Sequence, residues 1–161
     1  MLKYYAMSKP KIRVKNASIL EIHEFKKSQD GVPEDGSLFV PAMFNASLKP
    51  APIVAGQEFH PKRFFFIKGV KNQKTIRGDH SHKTQSEVIV AVHGSCKAHL
   101  DDGTTKQVIT LNDPHYALHI GPGLWHHFSN FSKDCILMVL ANDKYIPSDY
   151  ISKYEDFTET I

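Results

Sequence analysis

The sequence has little net charge, little cysteine and no long apolar run. A formal net charge of +3 over 161 residues is too mild to argue for nucleic acid, and no RNA- or DNA-binding signature accompanies it. It leaves room for a local basic pocket that accepts a phosphate. The two cysteines, Cys96 and Cys135, stand far apart in apolar or strand-like runs and form no CxxC arrangement, which favours buried free thiols over a disulfide. No apolar stretch is long enough to span a membrane. The N-terminal MLKYYAMSKPKIRVK is basic but lacks the apolar middle of a signal peptide. The expected setting is therefore the cytoplasm, with neither nucleic acid nor membrane as a partner. Helical periodicity is scarce, and there is no internal repeat or low-complexity segment. A length of 161 residues suggests one domain with a sizeable core.

Short strands fill most of what remains. RFFFIKGV, SEVIVAVHGS, HYALHIGPG, LWHHFSNFS and CILMVLAND each read as a strand, and CKAHLDDGTTKQVITL reads as a hairpin turning at Asp102–Gly103. Strands at intervals of roughly ten residues with turn signals between them predict an all-β barrel or sandwich. Asp30–Ser37 (DGVPEDGS) reads as a turn-rich loop, and the prolines between Asn45 and Lys62 mark an irregular excursion. In the tail, Tyr150, Ile151, Tyr154 and Phe157 recur at helix-like spacing and predict a short C-terminal helix packed on the barrel. This divides the chain into an N-terminal arm (about 1–60), a motif-bearing barrel (about 61–142) and a tail (143–161).

The chemistry concentrates in RGDHSHKTQSE, Arg77 to Glu87. Residues two apart on a strand share a face, so His80 and His82 point the same way. Farther on, GPGLWHHFSN supplies His126 and Asn130, and alternation turns His127 away from His126. His-x-His followed by Glu87 and Gly94, then His126 and Asn130, resembles the paired motifs of the cupin family, although Pro122 and Gly123 are adjacent here. The resemblance implies a double-stranded β-helix, or jelly-roll, barrel.

A closer resemblance covers about the last hundred residues. RGDHSHK, GSCKAHLDDG, LNDP, GPGLWHHFSNFSKDCILMVLANDKY and DYISKYEDF are similar to the cupin-type dTDP-4-keto-6-deoxyglucose 3,4-ketoisomerases, the WxcM-like group. That resemblance implies an isomerase moving a keto group from C4 to C3 of a nucleotide-linked 4-keto-6-deoxyhexose, for 3-amino-deoxysugars of surface polysaccharides. It also implies no metal or redox cofactor and a homodimer formed by strand exchange. By position His80 matches the family's base and His82 its partner acid. Arg77 is placed to neutralise an enediolate or hold the diphosphate, and Lys83, Arg63 and Trp125 join it as substrate-binding candidates. Tyr150 and Tyr154 are assigned to helix packing.

The sequence departs from the family at three places. Glu87 stands where Gln is common, Phe64, Phe65 and Phe66 replace tyrosines, and Ile146–Pro147 follow Tyr145 in place of Asp-Glu. With Glu87 present, His80, His82, Glu87 and His126 make up a cupin metal set, so a divalent transition metal is the alternative cofactor. A metal-dependent cupin of another activity and a non-catalytic sugar-nucleotide-binding cupin are the rival readings.

Overall fold

Alternation along the strands sorts the side chains into two packed layers. The computed structural model describes residues 8–27, 33–41 and 59–161, with backbone alone for 23–27 and 33–41. The first sheet contains β1 (Ala17–Lys27), β2 (Pro33–Pro41), β3 (Arg63–Lys68), β5 (Glu87–His93), β8 (Tyr116–Ile120) and β10 (Ile136–Ala141), in the order β2-β1-β8-β5-β10-β3. The second contains β4 (Arg77–His82), β6 (Cys96–Asp101), β7 (Lys106–Leu111), β9 (Trp125–Ser129) and β11 (Tyr150–Ile151), in the order β11-β4-β9-β6-β7. All strand pairs are antiparallel. This is the all-β, two-sheet architecture that the strand spacing predicts.

The inner faces meet in one core. Ile89 and Ala91 of β5, Leu118 and Ile120 of β8, and Leu137 and Val139 of β10 pack with Ala98 and Leu100 of β6 and Phe128 of β9. The intervening residues of the first sheet face outward, where Val88, Val90 and Ala117 form a second apolar cluster with Phe59. Both cysteines are buried free thiols. The β6–β7 hairpin turns at Asp102, whose carboxylate accepts backbone hydrogen bonds from Thr104 and Thr105. Asp101 and Asp102 therefore serve the turn and are not a catalytic pair.

Two expectations need correction. The loop foreseen over Asp30–Ser37 is in part strand: Pro33–Pro41 pairs with β1, while 30–32 lie outside the described residues. β2 is an edge strand, where prolines without an N–H are tolerated. Most of the excursion from Asn45 to Lys62 also falls outside the described residues. The tail helix is shorter than foreseen, because Pro147 holds Ile146 extended and starts only a 3-10 turn, Pro147–Asp149. Tyr150 and Ile151 then pair with His82 and Ser81 at the edge of β4, and the helix α1 covers only Tyr154–Thr158. Phe157 is fully buried against Trp125 and Tyr154.

The β5–β6 connection turns on Gly94, at φ +67°. A Cβ there would lie 2.8 Å from the Cys135 Cα and would also meet the Ser132 hydroxyl. Gly94→Ala adds this clash to left-handed strain and is expected to destabilise the fold by ~2 kcal/mol or more. Urea unfolding measures it, and an unchanged midpoint would contradict the account.

Candidate active site

Sequence spacing alone would put Arg77 and His80 on opposite faces of β4, since they are three apart. The backbone changes that. Gly78 (φ 85°) and Asp79 (φ 65°) both adopt left-handed conformations, and the pairing with β9 skips Asp79: Arg77 lies opposite Phe128, Gly78 opposite His127 and His80 opposite His126. Phe128 and His126 share the inner face, so the extra residue returns Arg77 and His80 to one side of the sheet. Gly78 is the residue that permits this, because a Cβ there would press on the His126 carbonyl at 3.2 Å.

A chain of contacts runs inward from His80. Its Nε2 lies 3.2 Å from Nε2 of His82, whose Nδ1 lies 3.0 Å from Asp149 Oδ2. His82 is 1% exposed, while His80 is only half-buried and is reached by solvent. Burial pushes the Asp149 carboxyl up, but hydrogen bonds from the Thr84 side chain and backbone, from the Gln85 backbone and from His82 outweigh it and keep the group below the usual range. An ionised Asp149 accepts from the His82 Nδ1–H, which leaves His82 Nε2 as an acceptor shared between His80 and the Gln85 amide. Burial, with a smaller contribution from His82, lowers the His80 pKa against weaker upward pulls from the Gly78 backbone, Glu87 and Asp79. His80 is therefore a neutral ring at pH 7, in contact with an acid–base partner.

Glu87, on β5, closes the inner end. Its oxygens lie 3.7 Å from His82 Nε2, 3.8 Å from His126 Nε2 and 3.7 Å from the Arg63 guanidinium. Burial raises its pKa, but contact with His82 and the charges of His126, His82 and His80 prevail and lower it. His126 is fully buried, and burial takes its pKa down to about 4. Its Nδ1 donates to the Leu124 carbonyl at 3.2 Å, so its bare Nε2 faces Glu87. The four residues of the metal alternative thus converge, yet they fit a cation poorly. The Gln85 amide donates to His82 Nε2 (3.3 Å) and to Glu87 Oε1 (3.2 Å), filling the gap that a shared ion would occupy. Arg63 already supplies positive charge to Glu87. Among the described residues no group of three or more His, Cys, Asp or Glu side chains is arranged to hold a metal.

The remaining sequence candidates separate. Arg77 is exposed on the histidine face and has no hydrogen bond or ion pair among the described residues. Arg63 enters the site from β3, reaching the Tyr150 hydroxyl at 3.4 Å and Gln85 Oε1 at 3.5 Å. Lys83 is not brought in: its ammonium donates to the Ser148 carbonyl at 2.8 Å and ties down the tail. Trp125 is also outside, because alternation on β9 turns it away from His126 and onto Tyr154 and Phe157. With His127 it lines a separate cleft of about 480 Å³ on the outer face of the second sheet.

Sequence reasoning missed Asp149, Gln85 and Tyr150. Tyr150 is not helix packing; its ring centre lies 4.4 Å from that of His82 and 4.8 Å from that of His80. An aspartate next to a proline-started turn, in a tail that must cover the barrel edge, was the one available signal for Asp149.

The chain is similar in sequence and in fold to several known proteins. The family model FdtA, described as WxcM-like, C-terminal, matches residues 21–161. A TDP-4-oxo-6-deoxy-alpha-D-glucose-3,4-oxoisomerase of Aneurinibacillus thermoaerophilus is 44% identical over 103 residues, covering 64% of this chain and 73% of that protein. Among solved structures, a mutant of the 3,4-ketoisomerase QdtA from Thermoanaerobacterium thermosaccharolyticum, in complex with TDP-4-keto-6-deoxyglucose, superposes with a TM-score of 0.72 at 27% identity, covering 92% of this chain and 95% of that one. WlaRA, a TDP-fucose-3,4-ketoisomerase from Campylobacter jejuni, gives a TM-score of 0.72 at 34% identity, covering 90% and 95%. With the family model spanning the strands that carry the histidines, the chain belongs to the FdtA, WxcM-like family of cupin-fold proteins.

Proposed function

We propose that the protein is a sugar-nucleotide 3,4-ketoisomerase that moves the keto group of a dTDP-linked 4-keto-6-deoxyhexose from C4 to C3. The observation that carries this reading is the His80–His82–Asp149 chain, with its half-buried neutral member reached by solvent. The C4 carbonyl acidifies the hydrogen on C3. His80 removes that proton, the C3–H electron pair becomes the C3–C4 double bond, and O4 takes the negative charge as an enediolate. O4 then gains a proton, a proton is delivered to C4, and O3 loses its proton as the C3 carbonyl forms. Two protons leave and two return, so the sugar is neither oxidised nor reduced overall. A neutral imidazole suits both transfers, and His82, braced by Asp149, receives and returns the protons. Arg77, cationic and unpaired among the described residues, supports a role in holding the diphosphate or steadying the enediolate. Tyr150 packs beside both histidines, and Arg63 reaches its hydroxyl.

The site works without a metal in this reading, with Glu87 serving as a charged hydrogen-bond partner within the Gln85–Arg63 network. The 3-keto product is the substrate class that an aminotransferase needs to make a 3-amino sugar. The assembly is a homodimer in which N-terminal strands exchange. Apolar residues on the outer face of the first sheet support it, including Met138, Leu140 and the exposed Phe64 and Phe66, since exposed sheet surface of this kind favours pairing. No helix among the described residues is long and apolar enough to cross a membrane, and the free thiols suit a reducing cytoplasm.

Four outcomes are expected. Incubation with dTDP-4-keto-6-deoxyglucose in heavy water is expected to place deuterium in the sugar and yield the 3-keto isomer. His80→Asn should cut turnover by at least ~10² while keeping the fold. No deuterium uptake by the parent, or full activity in the variant, would remove the reading; a protein that binds the sugar without exchanging it is the non-catalytic rival. Glu87→Gln should stay active. Because Glu87 pulls the His80 pKa up, its removal lowers that pKa, and the acidic limb of the pH–rate profile moves to lower pH. Stoichiometric metal in the parent, with activity lost on chelation and regained on adding metal back, would contradict this. Light scattering should give the mass of a dimer, and a monomer at working concentration would count against strand exchange.

A further inference from the structure

Asp79 is the residue that the pairing of β4 with β9 skips, and it is one of three non-glycine residues with positive φ among the described residues. Its side chain points away from the histidines, to the outer face of the sheet. There its Oδ1 accepts the Trp125 indole N–H at 3.2 Å and lies 3.8 Å from His127 Nδ1. Trp125 is itself fixed, at 7% exposure, between Tyr154 and Phe157 of α1. A buried indole N–H needs an acceptor, and Asp79 is the one it has.

We infer that Asp79 is a positioning residue for the isomerisation: clamped to Trp125 behind the sheet, it locks the left-handed Gly78–Asp79 pair that sets His80 against His82 and brings Arg77 onto the same face. The clamp connects three things the reaction needs in register. α1 holds Trp125, Trp125 holds Asp79, and the backbone on either side of Asp79 carries Arg77 and His80. The side chain of Asp79 makes no hydrogen bond to His80 and acts on it only weakly through its charge, so its main effect passes through the backbone. A displacement of ~1 Å at a reacting group is enough to cost ~10²-fold in rate. A left-handed non-glycine residue is held in place only when its surroundings fix it. Aspartate and asparagine tolerate that conformation and can also accept from the indole.

The inference rests on the proposed ketoisomerase activity, and its test separates the two. Asp79→Gly keeps the backbone freedom but loses the acceptor, and Asp79→Asn keeps both. With dTDP-4-keto-6-deoxyglucose as substrate, Asp79→Gly is expected to lower kcat by at least ~10-fold, and Asp79→Asn to remain within about twofold of the parent. Trp125→Phe, which removes the donor and keeps a ring on α1, should reproduce the Asp79→Gly loss. Because the clamp acts in part through His80, adding Asp79→Gly to His80→Asn should cost less than the same change costs in the parent. Full activity in Asp79→Gly, an equal loss in both backgrounds, or no rescue by Asn would overturn the inference. If the parent does not turn over this sugar, the proposed function falls, and a crystal structure of Asp79→Gly then decides. The His80 and His82 Nε2 atoms are expected to separate by ~1 Å or more, and an unmoved His80 would refute the clamp.

Discussion

A buried imidazole must satisfy both ring nitrogens or lose stability, and His82 is almost wholly buried. Its partners on the two sides, Asp149 and His80, come from parts of the chain far apart in sequence. Much of the site follows from that requirement. Asp149 must be held, so Thr84 and Gln85 wrap its carboxylate with backbone and hydroxyl donors. The turn bearing Asp149 must be anchored, so Tyr150 and Ile151 add a short strand to the edge of β4, which also covers that edge. The same short strand delivers the Tyr150 ring to the histidines. One buried ring thus couples the C-terminal tail to the chemistry at His80.

The charges around it are arranged so that only one member of the group is a useful base. Burial outweighs the nearby Glu87 carboxylate and leaves His126 neutral well below pH 7. Glu87 is an anion, but Gln85 and Arg63 occupy it. His80 alone combines partial exposure, neutrality and a proton-exchange partner. The site therefore separates an accessible base from a buried electrostatic support, as acid–base catalysis near pH 7 requires.

The strands were legible because hydrophobic alternation survives burial: IVAV and ILMVLA are placed by the core they fill. The His80–His82 pair was legible from a period of two, and His126 from its motif. What was not legible depends on backbone departures from that period. The bulge at Gly78–Asp79 changes the phase of Arg77, and nothing in RGDH reveals it short of the glycine. Tyr150 fits a helical spacing with Tyr154 and Phe157, and only the unpaired edge of β4 makes it a strand instead. Trp125 stood among the substrate-binding candidates, yet it adjoins His126, and adjacency on a strand means opposite faces. Asp149 became meaningful only once folding brought it to a histidine many residues away.

The central claim is that His80 is a neutral base whose partner His82 is fixed in one tautomer by Asp149. Nitrogen-15 NMR of histidine-labelled protein at pH 7 tests it directly, with resonances assigned by single His→Gln variants. The account predicts a neutral ring for His80 and, for His82, a proton on Nδ1 that is lost from that nitrogen when Asp149 is replaced by alanine. An imidazolium at His80, or a His82 with bare Nδ1 in the parent, would contradict it.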